Sequence, residues 1–129
     1  MRPNVSKTNP ITLQSQAIKK LAINALEDLK AENIVVLDVS ARASFTDTMI
    51  FASGNSSRHV SSIGGSVVEA AKAAGTPPLG VEGQDVGEWM LVDLGDAIVH
   101  VMLPATREFY DLEKLWSEEL IEASEDSAE

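Results

Sequence analysis

At 129 residues, 44% of them hydrophobic, the chain has the size and composition of one globular domain with a real core. It holds no cysteine, which excludes disulfides, thiolate metal sites and a cysteine nucleophile. It has no apolar run of membrane-spanning length and no signal-peptide core, so a cytoplasmic protein that does not act at a membrane is expected. The formal charge is −10, and no Lys or Arg falls between Lys72 and Arg107, which argues against nucleic acid as the main target, with no direct sequence-specific contact expected, and for a cationic partner.

Residues 1–10 are polar, carry Pro3 and Pro10, and read as a flexible lead. Ile11, Gln14, Ile18, Leu21, Ala22, Ala25, Leu26 and Leu29 recur at helical spacing and predict an amphipathic helix over 12–30. The aliphatic run 34–39 predicts a strand, and 45–53 a second one, antiparallel to it across a turn at 40–44. Gly54-Asn55-Ser56-Ser57 supplies a turn and cap for a second helix, with Val60, Ile63, Val67, Val68, Ala71 and Ala74 on its buried side. Gly75 and Pro77-Pro78 end it. Strands follow at 79–82, 88–92 and 97–103; Asp93-Leu94-Gly95-Asp96 joins the last two as a hairpin in which Gly95 can take positive φ. A helix over 108–120, holding Phe109, Tyr110, Leu112, Leu115 and Trp116, closes the domain. The fold class is α/β, a single layered domain with a mixed, roughly five-stranded sheet flanked by helices. Residues 118–129 are an acidic tail with six carboxylates and no base, which leaves a net −4 on the rest.

Candidate chemistry is sparse. The segment 54–59 could offer free backbone N–H groups at a helix N-terminus, with Arg58 adding charge for a phosphate. It has no Walker lysine and no G-x-G-x-x-G spacing, and a serine cap with Arg58 paired to a carboxylate accounts for it more simply. His59 and His100 are the only histidines; a metal site would need both, plus a carboxylate such as Asp47 or Asp96. His100 reads instead as a hydrogen-bonded histidine in a strand that shares its face with Ile98 and Met102. Asp93 and Asp96 lie in a glycine turn where both face water, so they do not form an acid–base dyad with separated proton affinities. No G-x-S-x-G elbow occurs. No catalytic residue, metal ligand or cofactor is expected.

The segment 79–102 packs five carboxylates and no Lys or Arg around Trp89. Trp89 opens the alternating series Trp89, Leu91 against Met90, Val92, and one of the two faces must point away from the core. Tryptophan is commonly buried, yet Asp85, Glu88 and Asp93 flank this one, and Gly83 and Gly87 leave its approach open. An indole bordered by polar groups is a favoured protein–protein hot spot. Core and docking surface both remain open for Trp89; Trp116, beside Leu112 and Leu115, reads as packing.

Five segments in one order carry a resemblance: Thr46-Asp47-Thr48-Met49-Ile50; Gly54-Asn55-Ser56-Ser57-Arg58-His59-Val60; Pro78-Leu79-Gly80-Val81-Glu82-Gly83 with Glu88-Trp89; Val92-Asp93-Leu94-Gly95-Asp96-Ala97-Ile98-Val99-His100-Val101; and Arg107-Glu108-Phe109-Tyr110-Asp111-Leu112-Glu113-Lys114-Leu115-Trp116. Together they resemble the ribosomal silencing factor, or Iojap, family over nearly the whole of 11–117. The resemblance implies a non-enzymatic repressor of translation under nutrient limitation. Such a protein binds the large ribosomal subunit on its ribosomal protein fourteen, blocks association with the small subunit, and forms a homodimer when free. It implies that Trp89 lies at the contact; complementary charge extends the patch to Glu82, Asp93 and Asp96. It also implies a nucleotidyltransferase-like fold, which keeps a nucleotide-binding or nucleotidyl-transferring enzyme as the alternative. That chemistry uses a Gly-Ser turn followed by Asp-x-Asp, whereas Asn55 follows Gly54 here and no Asp-x-Asp occurs.

Overall fold

A computed structural model describes residues 10–117, with side chains from Gln14 onward; the lead up to Asn9 and the acidic tail lie outside the described residues. In chain order the elements are α1 (Pro10–Asp28), β1 (Glu32–Asp38), β2 (Thr48–Ser53), α2 (Ser57–Ala73), β3 (Gly80–Glu82), β4 (Trp89–Asp93), β5 (Ala97–Met102), α3 (Pro104–Tyr110) and α4 (Leu112–Trp116). The five strands form one mixed sheet in the order β1-β2-β5-β4-β3. Only the central pair, β2 and β5, is parallel, with α2 in the connection between them. Both strands are buried along their whole length, as aliphatic runs covered on two faces should be.

Alternation along the strands divides the sheet into two unlike faces. Ile50, Ala52, Met90, Val92, Val99 and Val101 point to the first, where Ile18, Ala22 and Leu26 of α1 and Val60, Ile63 and Val67 of α2 cover them completely. Met49, Phe51, Ile98 and Met102 point to the second, where the cover is thinner: Val39 and Ala43 from the loop after β1, and Leu112 and Trp116 from α4. Trp89 and Leu91 lie at the edge of this second cluster and are only partly buried. The sheet therefore has one sealed face and one half-open face.

Three sequence expectations shift in detail. The second strand begins at Thr48 rather than residue 45, because the backbone N–H groups of Asp47 and Thr48 both turn to the Asp96 carbonyl and Phe45 stays in the loop. β1 starts at Glu32 and takes up a register irregularity before Val35, with Asn33 at φ 53°. The closing helix is two helices. Pro104 opens α3 at the position where its missing N–H is harmless, and Asp111 at φ 50° turns the chain left-handed before α4 ends at Trp116. The β4–β5 hairpin is as expected, with Gly95 at φ 86° and the Asp93 carboxylate accepting its N–H at 2.8 Å.

Candidate docking face

The register of β4 on β5 sets the site. Trp89 pairs with Met102 and Leu91 with His100, so indole and imidazole are diagonal neighbours on the half-open face. Trp89 Nε1–H donates to His100 Nδ1 at 3.1 Å, and the imidazole in turn stacks on Phe51, with ring centroids 4.9 Å apart and planes 12° apart. Tyr110 from the end of α3 lies over Trp89 at 4.9 Å, and Phe109 meets Tyr110 edge-on at 5.0 Å. Five rings thus run from solvent to core: Phe109 is 80% exposed, Tyr110 51%, Trp89 partly buried, His100 4% and Phe51 wholly buried. Phe45, edge-on to Trp116 at 5.9 Å, and Leu115 add exposed apolar surface next to the same cluster.

Two glycine- and arginine-based devices hold this row. Gly83 has φ 83°, and a Cβ there would stand 2.0 Å from the Trp89 carbonyl oxygen, so the turn before β4 can pass the indole's backbone only as glycine. The sequence reads Gly83 as leaving the indole uncluttered; its geometric role is to let the chain pass this close. Arg107 is buried in the middle of α3, the helix that carries Phe109 and Tyr110. Its guanidinium donates to both carboxylate oxygens of Glu113, at 3.2 and 2.6 Å, and to Ser53 Oγ at 2.8 Å. One side chain thereby ties α3, α4 and the end of β2 together, and the bidentate ion pair has the geometry in which Arg–carboxylate contacts are strongest.

The expected acidic residues are not equally near the indole. Glu82 pairs with Leu91, which puts it on the same face and diagonal to Trp89. Asp93 shares the face but sits at the other end of β4, roughly 13 Å from Trp89 at 3.3 Å per residue. Asp96 lies beyond it in the hairpin turn, where its carbonyl receives Asp47 and Thr48. Among the described residues the ion pairs are Arg107–Glu113 and Lys114–Asp111, so Glu82, Asp85, Glu88, Asp93 and Asp96 have no cationic partner there.

The rival sites come out as structural features. Ser56 caps α2 by accepting the His59 N–H at 3.1 Å. His59 Nδ1 accepts the Asn55 N–H at 2.9 Å, while its Nε2–H donates to the Leu29 carbonyl at 2.8 Å, stapling the end of α1 to the start of α2. The backbone donor that a phosphate would need at Asn55 is therefore engaged. His59 belongs to the α1–α2 side of the sheet and His100 to the other face, so the two cannot share an ion. Burial pulls the His100 pKa down from 6.5 to about 4.

A family model described as ribosomal silencing factor during starvation matches residues 12–129. The chain belongs to the ribosomal silencing factor family. It is 50% identical to ribosomal silencing factor RsfS of Chromobacterium violaceum over 104 residues, which is 81% of this chain and 85% of that one. It is 43% identical to the factor of the same name from Haemophilus influenzae over 101 residues, covering 78% of this chain and 99% of that one. A crystal structure of a Chromobacterium violaceum protein superimposes with a TM-score of 0.77 at 51% identity, over 78% of this chain and 84% of that one. Within the family fold, the pieces that sequence reading overlooks here are Phe109, Tyr110 and Arg107. Phe109 and Tyr110 are adjacent, and neighbours on a helix diverge by about 100°, so both could never have faced the core.

Proposed function

We propose that this chain docks on the large ribosomal subunit through its ribosomal protein fourteen and, by occupying that surface, blocks joining of the small subunit and lowers translation when nutrients are scarce. Family membership supports the ribosomal target, and the half-open face supports the manner of binding. The observation that carries the proposal is the half-sunk indole of Trp89 with Tyr110 and Phe109 ranged outward from it, beside carboxylates with no cationic partner among the described residues. Aromatic anchors of this kind dominate binding energy, and surrounding carboxylates steer a basic ribosomal protein toward them.

Blocking by occupancy needs no catalytic group and no cofactor. A bound domain competes with subunit joining by mass action, so its effect is set by its concentration relative to its Kd. The docking unit is residues 11–117, acting in the cytoplasm; Trp89 and Glu82 sit at its centre, and Asp93 and Asp96 contribute at longer range through their charge. A homodimer of the free protein would shelter the exposed rings until a subunit is met. Sucrose-gradient analysis of purified large and small subunits tests the proposal: added protein should shift joined ribosomes to free subunits, and Trp89→Ala should weaken the effect by about 2 kcal/mol or more in apparent affinity. Undiminished joining at saturating protein would refute it.

A further inference from the structure

We infer that His100 is a positioning residue of the docking face, present in the core to hold the Trp89 indole in the orientation that a partner meets. This rests on the docking reading of Trp89 given above. The imidazole is 4% exposed in the middle of a strand whose other side chains are Ala97, Ile98, Val99, Val101 and Met102. An aliphatic or phenyl side chain would fill the same slot against Phe51 without burying a polar group. Histidine brings two ring nitrogens, and they are treated unequally. Nδ1 receives the indole N–H of Trp89 at 3.1 Å, while Nε2 is buried with no hydrogen-bond partner among the described residues.

An indole N–H can only donate, so Nδ1 must carry the lone pair and the ring proton sits on Nε2. The tautomer that serves Trp89 is thus the one that leaves an N–H stranded in the core. A buried donor without an acceptor is unfavourable. The only polar contact this side chain makes among the described residues is the one to the indole. Trp89 is partly exposed at the mouth of the half-open face and packs on Tyr110 at one side; without an acceptor beneath it, its N–H would turn to water and the ring would sample other rotamers. Ordering the anchor before the partner arrives removes that loss of freedom from the binding step. The same imidazole also carries the row inward by stacking on Phe51, which fixes its own plane.

Three variants and one spectroscopic measurement test this. His100→Phe keeps a ring against Phe51 and removes the acceptor; His100→Asn restores an acceptor close to the Nδ1 position; Trp89→Ala removes the anchor. Nitrogen-15 spectra of the free wild-type protein should show Nδ1 unprotonated and Nε2 protonated for His100, with the Trp89 indole N–H protected from exchange. Protection should be lost in His100→Phe and kept in His100→Asn. Affinity for purified large ribosomal subunits should fall about three- to tenfold in His100→Phe, the worth of one hydrogen bond of ordering, and return to within about twofold of wild type in His100→Asn. Added to Trp89→Ala, the His100→Phe change should cause no further loss. A His100→Phe protein that binds like wild type while Trp89→Ala does not would overturn the positioning role and leave the docking face intact. A Trp89→Ala protein that binds like wild type would overturn the docking face itself. Should His100→Phe not fold, an unprotected indole N–H or an Nδ1-protonated ring in the wild type is sufficient to reject the inference.

Discussion

Acidification from pH 7 to pH 4 loads a proton onto residue 100 in the unfolded chain before it does so in the folded one. Desolvation of the imidazole lowers its folded pKa from 6.5 to about 4. The folded state resists the charge because a cationic ring would have to be solvated in the core and would lose the lone pair that receives Trp89. Stability is therefore fully present above pH 6.5. It falls as pH drops through the interval down to about 4, because there the unfolded chain holds more protons than the folded one. At about 1.4 kcal/mol per unit of pKa difference, the interval corresponds to about 3 kcal/mol, a large share of what holds a domain of this size together. Asp38 acts elsewhere on the axis: its pKa is lowered by hydrogen bonds from the Ser40 hydroxyl and backbone N–H, so its contribution is lost only below the ordinary carboxylate range near 3.8. Urea unfolding followed by far-UV circular dichroism, at half-unit steps from pH 7.5 to 4, reads the effect. Subtracting the same series for His100→Phe cancels the carboxylates common to both. A difference curve that falls by about 3 kcal/mol between pH 6.5 and 4 is expected. A flat one would show that the imidazole is not buried neutral and would contradict the five-ring arrangement.

Three other outcomes follow from the geometry. Gly83→Ala should destabilise the fold by more than about 1 kcal/mol, since φ is positive there and the Trp89 carbonyl is in the way, and it should shift the tryptophan fluorescence maximum as the indole is displaced; an unchanged urea midpoint would contradict the close approach. Arg107→Met should lower stability by about 2 kcal/mol by leaving Glu113 and the buried Ser53 without their donor, and Arg107→Met with Glu113→Leu should recover part of it in thermal unfolding. Tyr110→Ala should weaken binding to large subunits by about 1–2 kcal/mol with little change in stability, because its ring is half exposed yet packs against Trp89 at a tilt; equal binding would take α3 out of the docking face.

Much of this fold is written in local pattern. The helical spacing of Ile18, Ala22, Ala25 and Leu26 fixes α1, the Ser56 cap and paired prolines bound α2, and the Asp-Leu-Gly-Asp turn specifies the β4–β5 hairpin. Once that turn is placed, its register already puts residue 100 diagonal to residue 89, so the indole–imidazole contact was accessible by counting outward from Gly95. What pattern could not reveal is non-local: Arg107 reaches Ser53, 54 positions away, and pairs with Glu113 across the left-handed turn at Asp111. A run from Glu108 to Trp116 looks helical throughout because left-handed Asp111 leaves no mark in the hydrophobic spacing. For the site, α3 ends with Tyr110 against Trp89 and Phe109 in water. Negative charge around Trp89 was plain from composition, but its distribution was not. Only the sheet register shows that Glu82 sits beside the indole while Asp93 and Asp96 stand at the far end of the strand.

The most direct trial is co-sedimentation with separated ribosomal subunits at moderate salt, with wild type, Trp89→Ala and Tyr110→Ala run in parallel. The docking face predicts that wild type travels with the large subunit and not the small one, and that both substitutions reduce the fraction that does. Recovery of all three proteins equally on the large subunit, or of wild type on the small one, would contradict it.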